Sequence, residues 1–286
     1  MARHLTESDA AREREAGRKT RWLGAPVAAV LVVVMIVGGA LAVLRMAGVP
    51  WRDMAGVMMG KAAEAQAALS GGTSGGRNSD SGSVMTADEA NRRYPRTASP
   101  TDFNGNGKDD YADIVAGARK DAEAKPTYDD GYYQGGYPPD DRGACTDLVW
   151  RAFREAGYDL KAMVDADIAA HPADYAEVSP NPDPNIDFRR TGVLDVFFAK
   201  YGQTLTTDTT DRAAWQGGDI VVFEHTRHIG VISDRRDASG TTYVLHNMAQ
   251  NQRENDYFAF HKHMAVTGHY RFDASKVPTD VLRAWR

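Results

Sequence analysis

Among 286 residues the chain carries a single cysteine, Cys145, and eight histidines. A lone thiol forms no intramolecular disulfide, so its use lies in packing or in chemistry. Cys145 follows Gly143-Ala144 and opens a run in which Leu148, Val149, Ala152, Phe153 and Ala156 recur at helical spacing. Backbone N–H groups at a helix start lack intrahelical partners and carry partial positive charge. That position is expected to lower the pKa of the thiol and to set donors where an oxyanion would form. A thiolate nucleophile needs a base. His228 stands at the head of 228–234, the second arm of a hairpin whose first arm is 219–223. The base needs a partner for its other ring nitrogen. His246 closes the next strand, 242–246, and Asn247 comes directly after it. Side chains alternate along a strand, so only one of these two faces the base unless the strand ends in a bulge.

Further residues have types suited to a site. Tyr128, with Tyr132, Tyr133 and Tyr137, could wall a cleft before Cys145, or pack on the core. Asp147 could cap the cysteine helix or receive a cationic substrate group. Asp187, Arg189 and Arg190 could grip a peptide carboxylate or form structural ion pairs. The segment 102–113 has the spacing of a calcium loop. Asp102, Asn104, Asn106, Asp110 and Asp113 fall at positions 1, 3, 5, 9 and 12, Gly107 at the sharp turn, and Lys108 at the carbonyl position. Asp113 replaces the usual Glu, and the expected ion is structural. His225 and His228, with Cys145, are also zinc-ligand types, but they sit in a hairpin rather than on a helix face.

These residues need elements to hold them. Helical stretches are expected at 113–124, 145–156, 160–170 and 193–201, and strands at 219–223, 228–234, 242–246 and 268–272. Gly157 should end the cysteine helix, and Pro172 stops the next one. Helices first and antiparallel strands later make an α+β fold, with N-terminal helices packed on an antiparallel sheet.

Ahead of this domain, residues 25–44 form an uncharged apolar run flanked by Trp22 and Trp51, within an expected anchor at 25–46. Some ~20 residues at ~1.5 Å each span a bilayer core. Basic residues gather on the N-terminal side, which assigns 1–24 to the cytoplasm and the chain beyond residue 46 to the outside. Ala40-Leu41-Ala42 looks like a signal cleavage site, but the run is too long for a signal core, so a retained single-pass anchor is expected. Residues 47–84 form a juxtamembrane segment and a Gly/Ser linker with a reach of ~20 Å, and 85–286 the extracytoplasmic domain. Net charge is −5, and the second half has no Lys/Arg stripe, which argues against a nucleic-acid partner.

The succession Gly217-Gly218-Asp219-Ile220-Val221, His228-Ile229-Gly230-Val231-Ile232 and Leu245-His246-Asn247 resembles the NlpC/p60 superfamily of papain-like cell-wall peptidases. The chain is still more similar to a bacterial family of unknown function grouped with that superfamily. The likeness lies in Tyr128-Asp129, Gly143-Ala144-Cys145-Thr146-Asp147-Leu148-Val149, Pro184-Asn185-Ile186-Asp187-Phe188-Arg189-Arg190, His228-Ile229-Gly230-Val231-Ile232-Ser233, His246-Asn247 and Gly268-His269-Tyr270-Arg271. It covers 113–272. The resemblance implies a papain-like fold with Cys145 as nucleophile, His228 as base and His246 as orienter. It further implies an amidase or endopeptidase acting on cell-wall peptides without a catalytic cofactor. A wall- or lipid-binding module on the same fold, or an acyltransferase using the same thiol, are the other expectations. Ala144-Cys145-Thr146 departs from the Asp-Cys-Ser pattern of typical members, and Phe188 stands where the closer family has His.

Overall fold

The structure is a computed structural model and describes residues 84–260 and 263–286. The chain divides into two units, Met1–Arg77 and Asn78–Arg286, and every described residue belongs to the second. The expected cytoplasmic segment 1–24, the anchor 25–46 and all but the last residue of the linker 47–84 lie outside the described residues. Among the described residues no helix is long and apolar enough to cross a membrane.

Helix α1 (Ala87–Arg93) is capped by Thr86, whose hydroxyl accepts the N–H of Glu89 at 3.3 Å. Helix α2 (Asp110–Ala124) runs before a short parallel pair, β1 (Thr127–Tyr128) and β2 (Arg142–Gly143). Helix α3 (Cys145–Glu155) buries Leu148, Val149, Ala152 and Phe153 completely. It packs closely on α2, because Gly117 has no side chain: a Cβ there would lie 2.8 Å from the Ala152 Cα. Gly157 comes next at φ +90°, the left-handed conformation that ends a helix cheaply only with glycine. Helix α4 (Leu160–Ala170) is capped by Asp159 and stops before Pro172. Helix α5 (Thr191–Tyr201) starts two residues earlier than its apolar periodicity suggests.

The remaining chain forms one antiparallel sheet. Its strands are β3 (Gly202–Thr204), β4 (Ile220–Phe223), β5 (His228–Arg236), β6 (Thr242–Leu245), β7 (Glu254–Asn255) and β8 (Val266–Phe272), in the order β3-β8-β4-β5-β6-β7. Residues Ile220 and Val222 of β4 join Phe153, Phe198 and Phe272 in the core shared with the helices, whereas Val221 and Phe223 join Trp215, Tyr257 and Phe258 in a second cluster. The strand is therefore covered on both faces, which accounts for an unbroken apolar run where alternation would be usual. The α+β class and the antiparallel sheet agree with the expectation from sequence.

Candidate active site

Two chain features meet at the cysteine: the start of α3 and the head of β5. Alanine at position 144 has no side chain to cap α3, so the cap comes from within the helix. The Asp147 carboxylate accepts the Ala144 N–H at 2.6 Å and the Trp150 indole N–H at 2.8 Å. It also takes a two-pronged contact from Arg189, at 2.8 and 2.9 Å, and is fully buried. Ile229, the residue after His228, bears on the Cys145 sulfur through its backbone N–H, as do the Thr191 hydroxyl and the Thr146 N–H. Only 7% of Cys145 is exposed. Burial pushes its thiol pKa up; those three donors oppose the shift, and the nearby Asp147 carboxylate adds to it. The expectation of a lowered thiol pKa is thus corrected. A helix start stabilises a thiolate, but loss of water costs more when the sulfur is enclosed.

His228 pairs with Phe223 across the β4–β5 hairpin, and its ring stacks on that phenyl at 5.6 Å. Its Nε2 lies 2.8 Å from His246 Nδ1, which leaves Nδ1 as the ring nitrogen outside that contact. This close approach of strands depends on Gly230, since a Cβ there would meet the Leu245 carbonyl oxygen at 2.9 Å and the His246 Cβ at 3.2 Å. Burial holds His228 well below the ordinary imidazole pKa, with His246 adding to the shift. Burial also drops His246 to about 4, against an opposing hydrogen bond from Asn255 and with help from Arg253. At neutral pH the resting site therefore holds a neutral thiol and two neutral imidazoles. Asn247 faces the other way and donates from Nδ2 to the Gly143 carbonyl at 2.8 Å, tying the end of β6 to the segment before the nucleophile. His225 does not join the cluster: its side chain is 72% exposed and faces Asp195 at 3.7 Å.

The loop from Tyr128 to Gly143 lies beside this site. Tyr128 is 39% exposed. Burial raises its pKa, with the adjacent Cys145, Asp130 and Asp147 contributing in that order. Arg189 straps the loop by donating to the carbonyls of Gly131 at 2.5 Å and Asp129 at 3.2 Å while it holds Asp147. Asn185 adds two more ties, accepting the Gly135 N–H and donating to the Tyr132 hydroxyl, both at 2.8 Å. Asp187 accepts from Ser179, from the backbone of Asp183 and from the partly exposed Arg190. Of the residues expected to touch substrate, Asp147, Asp187 and Arg189 thus have their hydrogen-bonding capacity taken up inside the fold. Tyr128 and Arg190 keep an exposed portion. Phe188, in the same motif, is fully buried against Tyr137.

The calcium-type loop closes on itself. Asp102 accepts the N–H groups of Asn106 and Gly107, at 3.1 and 2.8 Å. The side-chain amides of Asn104 and Asn106 converge on one Asp113 oxygen, each at 2.8 Å. Asp110 is turned inward to the Phe103 N–H and the Tyr158 hydroxyl. Lys108 contributes its N–H to Asn106 Oδ1 at 2.8 Å. Among the described residues no group of three or more His, Cys, Asp or Glu is placed to hold a metal. The loop offers oxygens of the hard type calcium prefers, but both amides would have to turn to present theirs.

Thr191 and Asn255 escaped the sequence reading. Thr191 looks like any helix-start residue, and Asn255 sits in a two-residue strand without periodic signal.

A family model described as a domain of unknown function, DUF1287, matches residues 115–272. The chain belongs to this family. The matched stretch holds Cys145, His228, His246 and Asn255, and begins after the calcium-type loop. The uncharacterized protein YijF of Escherichia coli strain K12 is 36% identical over 168 residues, covering 56% of this chain and 80% of that protein. No solved structure matches the chain.

Proposed function

We propose that this domain is a cysteine hydrolase of the NlpC/p60 type, an amidase or endopeptidase held outside the cytoplasm by the anchor 25–46 and acting on cell-wall peptides. The observation that carries the reading is one arrangement. The helix that opens with Cys145 packs on the strand that opens with His228, the residue after His228 bears on the sulfur, and His228 is itself held by His246 at 2.8 Å. In the reaction, the Cys145 sulfur attacks the amide carbonyl carbon as its proton passes to His228 Nδ1. N–H groups at the start of α3 face the oxygen that becomes negative. Imidazolium at His228 then protonates the departing amine, and water cleaves the thioester. A buried thiol with a raised pKa makes this proton transfer part of the attack rather than a step completed beforehand. A calcium ion held by Asp102, Asn104, Asn106, Asp113 and the Lys108 carbonyl would have a structural role, stiffening the entry to α2. Cys145→Ala should abolish release of peptide fragments from purified cell wall while circular dichroism stays unchanged. Undiminished release by that variant overturns the proposal.

The enclosure of Cys145 favours a second reading, a binding module that retains the fold without the chemistry. Failure of a thiol-reactive probe to modify Cys145 in the folded chain near neutral pH would support it.

A further inference from the structure

We propose that Asn255 is a positioning residue that decides, through His246, which nitrogen of His228 carries the proton. Its use in catalysis rests on the hydrolase reading, but its geometry does not. His246 Nε2 faces the Asn255 amide, with Oδ1 at 3.3 Å and Nδ2 at 3.1 Å. His246 Nδ1 faces His228 Nε2 at 2.8 Å. Three buried groups thus form a line, and two orders of donors are self-consistent along it.

In the first order Asn255 Oδ1 accepts the Nε2–H of His246. Nδ1 of His246 is then a lone pair that accepts the Nε2–H of His228, and Nδ1 of His228 is bare. In the reverse order Asn255 Nδ2 donates to His246, His246 Nδ1–H donates to His228, and His228 carries its proton on Nδ1. Only the first order lets His228 take the proton from the Cys145 sulfur. It also survives that transfer without rearrangement, because the imidazolium keeps the same Nε2–H donor. The Asn255 amide is anchored by Nδ2, which donates one hydrogen to the Gln252 carbonyl at 2.7 Å; Oδ1 and the second Nδ2 hydrogen both remain within reach of His246 Nε2, and the order with Oδ1 accepting is the one the reaction requires.

The surroundings hold the line in place. Tyr257 packs against the rings of His246 and His228 at 4.9 and 6.5 Å, and the His246 backbone N–H donates to the Arg253 carbonyl at 2.9 Å. Arg253 is the charged group that bears on His246, and its positive charge disfavours an imidazolium at His246. The neutral chain is therefore the state to be ordered, and an amide suits that task. In the reaction no proton moves beyond His228. The one taken from sulfur is returned to the amine, while His246 and Asn255 only hold their hydrogen bonds.

The test uses the full-length chain in detergent, labelled with 15N-histidine. Long-range proton–nitrogen spectra near neutral pH should place the hydrogen of His228 on Nε2. Since the chain has one cysteine, alkylation by iodoacetamide reports Cys145 alone. Asn255→Ala should slow that alkylation by about tenfold or more, whereas Asn255→Asp, an acceptor only, should stay within about twofold of wild type with the acid limb of its rate–pH profile moved upward. A hydrogen found on Nδ1 of wild-type His228 overturns the proposal. So does an Asn255→Ala chain that melts lower but alkylates at the wild-type rate with an unmoved profile, the outcome for a purely structural asparagine. Should Asn255→Ala fail to fold, the wild-type spectrum and the Asn255→Asp rate decide. Wild type with the expected tautomer but no cleavage of wall peptides supports the relay and overturns the hydrolase reading.

Discussion

Acidification from neutral pH should destabilise this domain through its two buried histidines. His246 has a folded pKa of about 4 against an ordinary 6.5, and His228 is depressed in the same direction, mainly by burial. A depressed imidazole means that the unfolded chain binds the proton more readily than the folded one. Stability is then fully present above about pH 6.5 and falls as the pH drops from there toward the folded pKa. Lowering the pH from about 7 to about 5 costs roughly 2 kcal/mol for His246 alone. His228 adds at most a similar amount, because uptake by the unfolded chain sets the limit, for a total of roughly 4 kcal/mol. Asp109, Asp129 and Asp167 have lowered pKa values, so their contribution is lost only below the ordinary carboxylate range, whereas burial raises Asp110, Asp121 and Asp165, whose proton uptake in the folded state offsets part of the histidine loss. Urea titrations across that range measure the loss directly. His246→Gln, which keeps a hydrogen-bonding side chain toward His228, should remove about half of the pH-dependent part. Equal unfolding free energies at the two ends of the range, or a variant that loses as much as wild type, would refute the reasoning.

Asp147→Ala leaves the buried Arg189 guanidinium uncompensated and strips the Ala144 and Trp150 N–H groups of their acceptor, so denaturant titration should show a loss of roughly 3–5 kcal/mol. A loss below about 1 kcal/mol would mean that water reaches this pair. Calcium near ~1 mM should raise the melting temperature of wild type but not of Asp102→Ala, and an absence of shift in both removes the ion from the loop at 102–113.

Local periodicity carried much of the frame. Helix α4 occupies 160–170 as its apolar spacing and the adjoining Pro172 indicate, and β5 begins at His228 as expected. The placement of Cys145 at a helix start and His228 at a strand start needed only neighbouring residues, because capping, turns and side-chain alternation are short-range effects. Roles that depend on distant partners were not legible. The motif at 184–190 looked equally suited to gripping a carboxylate or forming ion pairs. The fold brings Arg189 onto Asp147, 42 positions away in sequence, and makes the motif a strap for the loop beside the nucleophile. Asn255 was invisible because a two-residue edge strand has no pattern to detect. The thiol pKa turned on the same distinction. A helix start can be read from sequence and favours the thiolate, while the walls that exclude water come from β5, α5 and the Tyr128 loop, and only their assembly decides that burial wins.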